Sequence, residues 1–322
     1  MRINAIYRKT ICIMLLLAVT GGLCGCSSDR KKDQAAYRSY GITCMQDGKY
    51  EEAVEAFQKA LDQSHGQVGA TEIDTCYYKA QAQLLNGDYD GAVATYTAVV
   101  NYNGAADAYF LRGCAYFKRE DWADGLADFQ SAVVKDSNNY DMYIGIYEVL
   151  AASDMEKDAQ SYLNRALDIR GDKPYDKMEK GRIYLLLGEN ETAIDMLKDA
   201  VDKGSQEANF YLGEAYFEYG DAESAEACYQ AYLDSGVADA EGLYGMGQRR
   251  MERGDYQGAL TYFQSAMEME NISNKQELMR AMIVAYEKSG DFASAKSMMA
   301  DYAEAYPDDA AAQRENIFLQ TR

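Results

Sequence analysis

A small residue recurs along the chain at a spacing centred on 34 residues, and this repeat restricts the possible fold more than any other feature. It lies within the pattern G-x-Y-x-x-A-x-x-x-F-x-x-A, which is clearest at Gly48–Ala60 and Gly254–Ala266. Apolar residues on both sides of each glycine follow the period of an α-helix. No unit could bury its apolar stripe alone, so the units have to stack. The repeated small residues are Ala53, Ala92, Gly125, Ala159, Ala193, Ala225, Ala259 and Ala295.

Each unit is therefore predicted to be two helices joined by a Gly-centred turn. Two places depart from the regular spacing. The first step is 39 residues, which predicts a longer connection around Gln63–Thr71. Gly145 lies two residues too far from Ala159, which predicts an irregular turn near Ala151–Lys157. The apolar residues within 308–322 predict a final helix that covers the open end of the stack.

The repeat length, the G-x-Y-x-x-A turn and the A-x-x-x-F-x-x-A second helix resemble the tetratricopeptide repeat (TPR) family. The resemblance covers about residues 35–306, or eight repeats. It implies an all-α fold, a right-handed α-solenoid of about eight TPR helix-turn-helix repeats with a C-terminal capping helix at 307–322. The proline that often closes such a repeat is present only as Pro307.

Residues 1–26 have the features of a bacterial export signal. The apolar run Ile11–Val19 follows a basic start and is shorter than the roughly 20 residues that span a bilayer. The string Leu23-Cys24-Gly25-Cys26 resembles the bacterial lipobox, which implies that Cys26 is lipidated and begins the mature protein. Residues 27–34 would then form a hydrophilic tether. An ordinary signal cleaved without lipidation and an uncleaved signal anchor are the alternatives.

Charge and composition narrow the function. The 32 Lys and Arg residues against 52 Asp and Glu give a net charge of −20, which argues against a nucleic-acid partner because nothing would offset phosphate repulsion. The single histidine, His65, removes mechanisms that need a histidine pair. The sequence has no Walker motif and no G-x-S-x-G. We therefore expect no catalytic residue, no metal and no cofactor.

The cysteines of the repeat region have no metal-binding spacing. They contain no C-x-x-C pair, and we expect them to be small buried apolar residues, although the export signal would allow disulfides. They are Cys44, Cys76, Cys114 and Cys228.

The TPR resemblance implies a concave groove lined by the first helix of each repeat, where partners bind. This face is rich in aromatic and Met side chains, which suit an apolar segment or a helix. In the fourth repeat the mapping places Met142, Ile146 and Val149 on it. Packing between neighbouring first helices is the alternative role for these side chains. The predicted binding residues are Tyr77, Phe110, Phe117, Phe210, Phe217 and Tyr244.

The lipobox and the repeats together predict a non-catalytic scaffold or adaptor. It would be anchored to a bacterial membrane in the cell envelope through Cys26, and it would bind protein partners. The alternative is a receptor-like module for a short peptide or a glycan at the cell surface, because aromatic faces stack on sugars. Sugar sites favour tryptophan, and the only one, Trp122, has a turn-packing position.

Overall fold

A computed structural model describes residues 27–269, 272, 274–307 and 309–320. The part of the chain that it describes contains α-helices and no β-strand, so the expected all-α class is confirmed. The expected export signal, with Cys26, lies outside the described residues. The helices are α1 (Ser27–Gln46), α2 (Tyr50–Asp62), α3 (Ala70–Leu85), α4 (Tyr89–Asn103), α5 (Ala106–Lys118), α6 (Trp122–Lys135), α7 (Tyr140–Ala151), α8 (Glu156–Leu167), α9 (Pro174–Leu186), α10 (Asn190–Asp202), α11 (Ala208–Tyr219), α12 (Ala222–Asp234), α13 (Ala240–Glu252), α14 (Tyr256–Met267), α15 (Lys275–Ser289), α16 (Phe292–Ala305) and α17 (Ala310–Gln320).

The turns inside the repeats share one geometry. In each, one residue has a left-handed backbone, and the N–H of the next residue donates to a carbonyl oxygen five residues earlier in the chain, as Lys49 does to Cys44 at 2.8 Å. This hydrogen bond ends a helix and satisfies a carbonyl that the helix itself leaves free. The left-handed residues are Gly48, Gly87, Glu120, Asp154, Gly188, Gly220, Gly254 and Gly290.

The prediction of an irregular turn near Ala151–Lys157 is wrong. Asp154 has the left-handed conformation with φ of 58°, and the N–H of Met155 donates to the carbonyl of Leu150 at 3.0 Å, as in the other repeats. Asp154 precedes Ala159 by five residues, the distance found in every other repeat. The apparent excess arose because the turn has Asp154 where most repeats have glycine. The matching residues on the first helix are therefore Ile144, Glu148 and Ala151, in place of Met142, Ile146 and Val149.

The described chain divides into two compact units, one ending at Met155 and the other beginning at Glu156. Within each unit, most helices that are consecutive in sequence pack against each other. An exception is α9, which packs closely against α10 but only weakly against α8. A close approach of backbone to ring sets this packing: a Cβ atom at Gly113 would lie 2.7 Å from the ring of Phe129, and one at Gly247 would lie 2.3 Å from Phe263. The small residues of the repeat therefore leave room for an aromatic ring of the following helix.

The chain outside the repeats has two further features. The long connection expected after the first repeat runs from Gln63 to Gly69, where His65 is exposed and has a left-handed backbone. Residues 27–34, expected to be a tether, lie in α1, and their role as a spacer remains a prediction. None of the described helices combines the length and the apolar character needed to cross a membrane.

The expected C-terminal capping helix is present as α17. Ala312 and Leu319 are buried in one cluster with Met299 of α16. Asp309 accepts hydrogen bonds from the N–H of Ala312 at 3.0 Å and from Arg280 Nη1 at 2.7 Å. These contacts fix the start of α17 against α15 and α16.

Candidate protein-binding face

The predicted binding residues lie at fixed places before the left-handed turn residue of their repeats. We define the first-helix face by the positions ten, six and three residues before that turn residue. It belongs to α1, α3, α5 and α7 in the N-terminal unit and to α9, α11, α13 and α15 in the C-terminal unit. The two units are described separately below.

In the N-terminal unit, Tyr77, Phe110 and Phe117 are buried and form no open aromatic surface, and their role in partner binding stays a prediction. The ring of Tyr77 lies 6.2 Å from that of Tyr96, and the ring of Phe110 lies 5.9 Å from that of Phe129. Phe117 stacks on Phe129 with ring centroids 5.2 Å apart. These three side chains therefore form the packing between first and second helices.

In the C-terminal unit, Phe210 and Tyr244 remain partly exposed. The ring of Phe210 lies 5.6 Å from that of Tyr232, and a Cβ atom at Gly245 would come within 2.9 Å of it, so Phe210 packs closely on the backbone of α13. Gln248 Nε2 donates to the hydroxyl oxygen of Tyr244 at 2.6 Å. Both rings are thus held in place while part of each side chain is open to solvent.

Phe217, also partly exposed, is covered by two cations. The guanidinium carbon atoms of Arg249 and Arg253 lie 5.0 Å and 4.5 Å from the centroid of its ring. Contacts of this geometry are attractive because the ring face is electron-rich. Phe217 therefore lies beneath a charged surface and does not form an open apolar patch.

Arg249 also joins neighbouring first helices. Its Nε and Nη2 atoms donate to Glu214 Oε2 at 2.9 and 2.7 Å, which links α13 to α11. The hydroxyl of Tyr229 donates to Glu214 Oε1 at 2.6 Å. Burial raises the pKa of Tyr229, and the Glu214 carboxylate raises it further. Both oxygens of the buried carboxylate thus have donors, which fixes α11 relative to α13.

An acidic side chain recurs thirteen residues before the left-handed turn residue, beside the first-helix face. Arg38 Nε donates to Asp74 Oδ2 at 3.0 Å, whereas Asp107 has no hydrogen bond or ion pair with any described residue. Burial, and then the neighbouring Asp136 carboxylate, raises the pKa of Asp107. The residues at this position are Asp74, Asp107, Asp141, Glu207, Glu241 and Glu277.

Sequence reasoning missed both Arg249 and this acidic position. The charges do repeat in the sequence, but a repeat of charge alone is typical of a solvated helix surface, whereas aromatic residues indicate a binding face. Only the structure shows which acid has a cation beside it. The offset from the turn residue is the sequence feature that could have drawn attention to the acids.

The described residues contain no cluster of three or more His, Cys, Asp and Glu side chains that could hold a metal ion. The cysteines among the described residues form no disulfide: Cys44 and Cys114 are buried, and Cys76 and Cys228 are partly buried. Burial raises the pKa of Cys76 and of Cys228, which lowers their thiolate fraction and hence their reactivity.

Comparison with known proteins gives matches along most of the chain. The TPR repeat-containing protein MJ1428 of Methanocaldococcus jannaschii is 23% identical over 279 residues, which are 77% of this chain and 48% of that protein. This chain thus spans about half the length of that relative. A TPR protein from Parabacteroides merdae superposes with a TM-score of 0.49 at 11% identity, over 79% of this chain and 99% of the other. The C-terminal part of a TPR repeat-containing protein from Cytophaga hutchinsonii gives a TM-score of 0.40 at 15% identity, over 86% and 98%.

Two family models described as tetratricopeptide repeat match more than half of the chain. One matches residues 250–314, and the other matches residues 28–67, 77–140 and 178–242. The matches include first and second helices of both units. The chain belongs to the tetratricopeptide repeat family.

Proposed function

We propose that this chain is a non-catalytic scaffold that binds protein partners through its first-helix face and is anchored to a bacterial membrane by a lipid on Cys26. TPR repeats in general mediate contacts between proteins and are in general non-catalytic, which supports the coarser part of the proposal. The anchor and the place in the cell envelope are proposed from residues 1–26 alone.

The observation that carries the proposal is the partly exposed pair Phe210 and Tyr244. Aromatic side chains contribute much of the free energy of protein association when they are held rigidly and become buried by the partner. Phe210 is fixed by Tyr232 and by the backbone at Gly245, and Tyr244 is fixed by Gln248. Little side-chain entropy is therefore lost when a partner covers them.

Photocrosslinking in cells tests the proposal. A benzophenone amino acid replaces Phe210 or Tyr244 in turn, and Ala227, an exposed residue of the second helix α12, is the matched control. We expect adducts with a defined protein from Phe210 and Tyr244 but not from Ala227. Adducts from Ala227 alone, or from none of the three positions, would contradict the proposal.

A further inference from the structure

One carboxylate beside the first-helix face of the N-terminal unit lacks the cation that its equivalent in the preceding repeat has. Asp74 and Asp107 each lie thirteen residues before the turn residue of their own repeat, Gly87 and Glu120. Arg38, on the preceding first helix, forms an ion pair with Asp74. Asp107 has no such partner among the described residues. The two repeats therefore provide an internal comparison at the same place in the fold.

The missing cation results from one difference in sequence. Arg38 lies ten residues before Gly48, and Tyr77 lies ten residues before Gly87, so Tyr77 has the position toward Asp107 that Arg38 has toward Asp74. A phenol cannot neutralise a carboxylate. The Tyr77 hydroxyl itself has no hydrogen bond to a described residue, although the Tyr77 ring packs against Tyr96. Both groups are therefore left without a partner.

The surroundings of Asp107 make its negative charge costly. The side chain is half-buried, and the charged group that acts on it is another carboxylate, Asp136. Burial without a counter-charge disfavours an ionised carboxylate, and a second negative charge adds to that cost. Arrangements of this kind recur at binding and catalytic sites, where the ligand supplies the missing charge.

A second group on the same face is also unpartnered. Gln81 lies one helical turn beyond Tyr77 on α3, so the two side chains share one side of the helix. The residue is 8% exposed, and its Oε1 atom is buried without a hydrogen-bond donor. Buried side-chain oxygens almost always have a donor, so this one needs an explanation. The unused groups on this face are thus a carboxylate, an amide oxygen and a phenolic oxygen, all of which can accept hydrogen bonds.

We propose that Tyr77, Gln81 and Asp107 together receive a lysine or arginine side chain of the protein partner. These side chains offer only N–H donors and carry the positive charge that Asp107 lacks. The partner's cation would form an ion pair with Asp107, as Arg38 does with Asp74. The net charge of −20 favours the approach of a basic segment over an acidic one. This inference rests on the proposed function and adds the chemistry of the partner.

A peptide titration tests the inference. The full-length chain, purified in nonionic detergent, is titrated with a fluorescein-labelled peptide of alternating lysine and serine residues at about 0.1 M salt, where distant surface charges are screened. We expect Asp107→Asn to weaken binding about tenfold or more, because hydrogen bonds to a charged group are lost. The matched control is Asp124→Asn, which removes the same charge from an exposed position on α6 and leaves the affinity unchanged.

A second readout separates a binding role from a structural one. Asp107→Asn removes an uncompensated charge, so we expect Tm to rise while binding falls, whereas loss of a merely structural carboxylate would lower Tm. Tyr77→Arg recreates the pair seen between Arg38 and Asp74, and it should also abolish peptide binding. If Tyr77→Arg does not fold, the comparison of Asp107→Asn with Asp124→Asn still decides.

Equal affinities of Asp107→Asn and Asp124→Asn, or no binding of the peptide to the unaltered chain, would overturn the inference. The proposed function is judged separately by the photocrosslinks at Phe210 and Tyr244. If crosslinks persist with full yield in Asp107→Asn and the peptide affinities are equal, the proposed scaffold function still holds. Only the inference of a basic partner is then contradicted. Absence of all crosslinks would instead contradict the proposed scaffold function.

Discussion

Two of the repeat turns have a residue other than glycine in the left-handed conformation. Glu120 has φ of 66° and Asp154 has φ of 58°. For an L-residue with a side chain this conformation costs roughly 1–2 kcal/mol relative to the right-handed one, whereas glycine adopts it freely. The hydrogen bonds from Asp121 and Met155, each to a carbonyl five residues earlier, hold both turns in place despite this cost.

Replacing either residue with glycine should stabilise the protein. We expect Glu120→Gly and Asp154→Gly each to raise the free energy of unfolding by about 0.5–1 kcal/mol, because the strain is relieved and glycine's greater freedom in the unfolded chain offsets part of the gain. Urea denaturation measures the change. Ala127→Gly, at an exposed position inside α6, is the control and should lower the same quantity by about 1 kcal/mol. Turn variants that behave like this control would show that the turns carry no strain.

The same residues show how far the sequence could predict the fold. The glycines at the other turns made the repeat visible, and the all-α class and the C-terminal helix followed from it. Asp154 hid the fourth turn, because only its backbone geometry reveals that it has the place of a glycine. The sequence left open whether Phe110 and Phe117 pack or bind. Both are covered by Phe129 of the second helix, and the spacing within a first helix does not contain that information.

Neighbouring first helices of the C-terminal unit are joined by a partly buried ion pair. The Glu214 carboxylate lies between α11 and α13, where Arg249 and Tyr229 supply its donors. Removing one partner of a buried pair costs more than the pair contributes, since the remaining charge stays desolvated. The pair therefore determines how firmly the two helices are held together.

We expect Arg249→Ala to lower the free energy of unfolding by about 2–3 kcal/mol, because Glu214 loses its counter-charge. Arg253→Ala is the control and should cost less than about 1 kcal/mol, since Arg253 also covers the Phe217 ring but is an exposed residue just after the end of α13. Chemical denaturation gives both values. Equal losses would mean that the contact with Phe217, and not the ion pair, joins the helices.

The docking of α17 should depend on pH through Asp309. Hydrogen bonds from the Ala312 N–H and the Tyr302 hydroxyl, with the charge of Arg280, outweigh the effect of burial and lower the pKa of Asp309. A lowered pKa in the folded state means that the stabilisation is present at neutral pH and is lost as the pH falls below about 4, the value for an unperturbed aspartate. The capping helix should therefore loosen in acid.

NMR spectra of the α17 amides across an acid titration test this dependence. We expect their signals to move toward unfolded positions below about pH 4. In Asp309→Asn the helix should already be loosened at neutral pH, and its signals should not change further in this range. Signals of α17 that titrate identically in both proteins would assign the transition to another group.

The charge of the whole molecule bears on how it is placed at a membrane. Cleavage before Cys26 would remove three basic residues and no acidic one, which changes the net charge from −20 to −23. A body of this charge is repelled by an anionic lipid surface. A lipid anchor together with this repulsion would hold the repeats close to the bilayer without laying them flat on it.

Two variants, each with one cysteine replaced, test the proposed lipid anchor. We expect Cys26→Ala to abolish incorporation of an alkynyl fatty acid. The variant should also no longer be found in the lipid-anchored membrane fraction. Cys24→Ala, two residues earlier in the same string, is the control and should keep both the label and the fraction. Labelling that is lost only in Cys24→Ala would show that Cys24 is the modified residue. Labelling that is lost in neither variant would contradict the proposed lipid anchor.

The side-chain bridges between repeats have a consequence for how the polypeptide acquires its structure. They join residues close in sequence: Gln34 donates to Glu72, 38 residues away, and Arg249 to Glu214, 35 residues away. A low contact order of this kind permits fast folding, because little loop-closure entropy is lost before each contact forms. A nascent chain can therefore complete one helical pair after another while it is still being synthesised, and each newly folded pair provides the surface on which the next one folds.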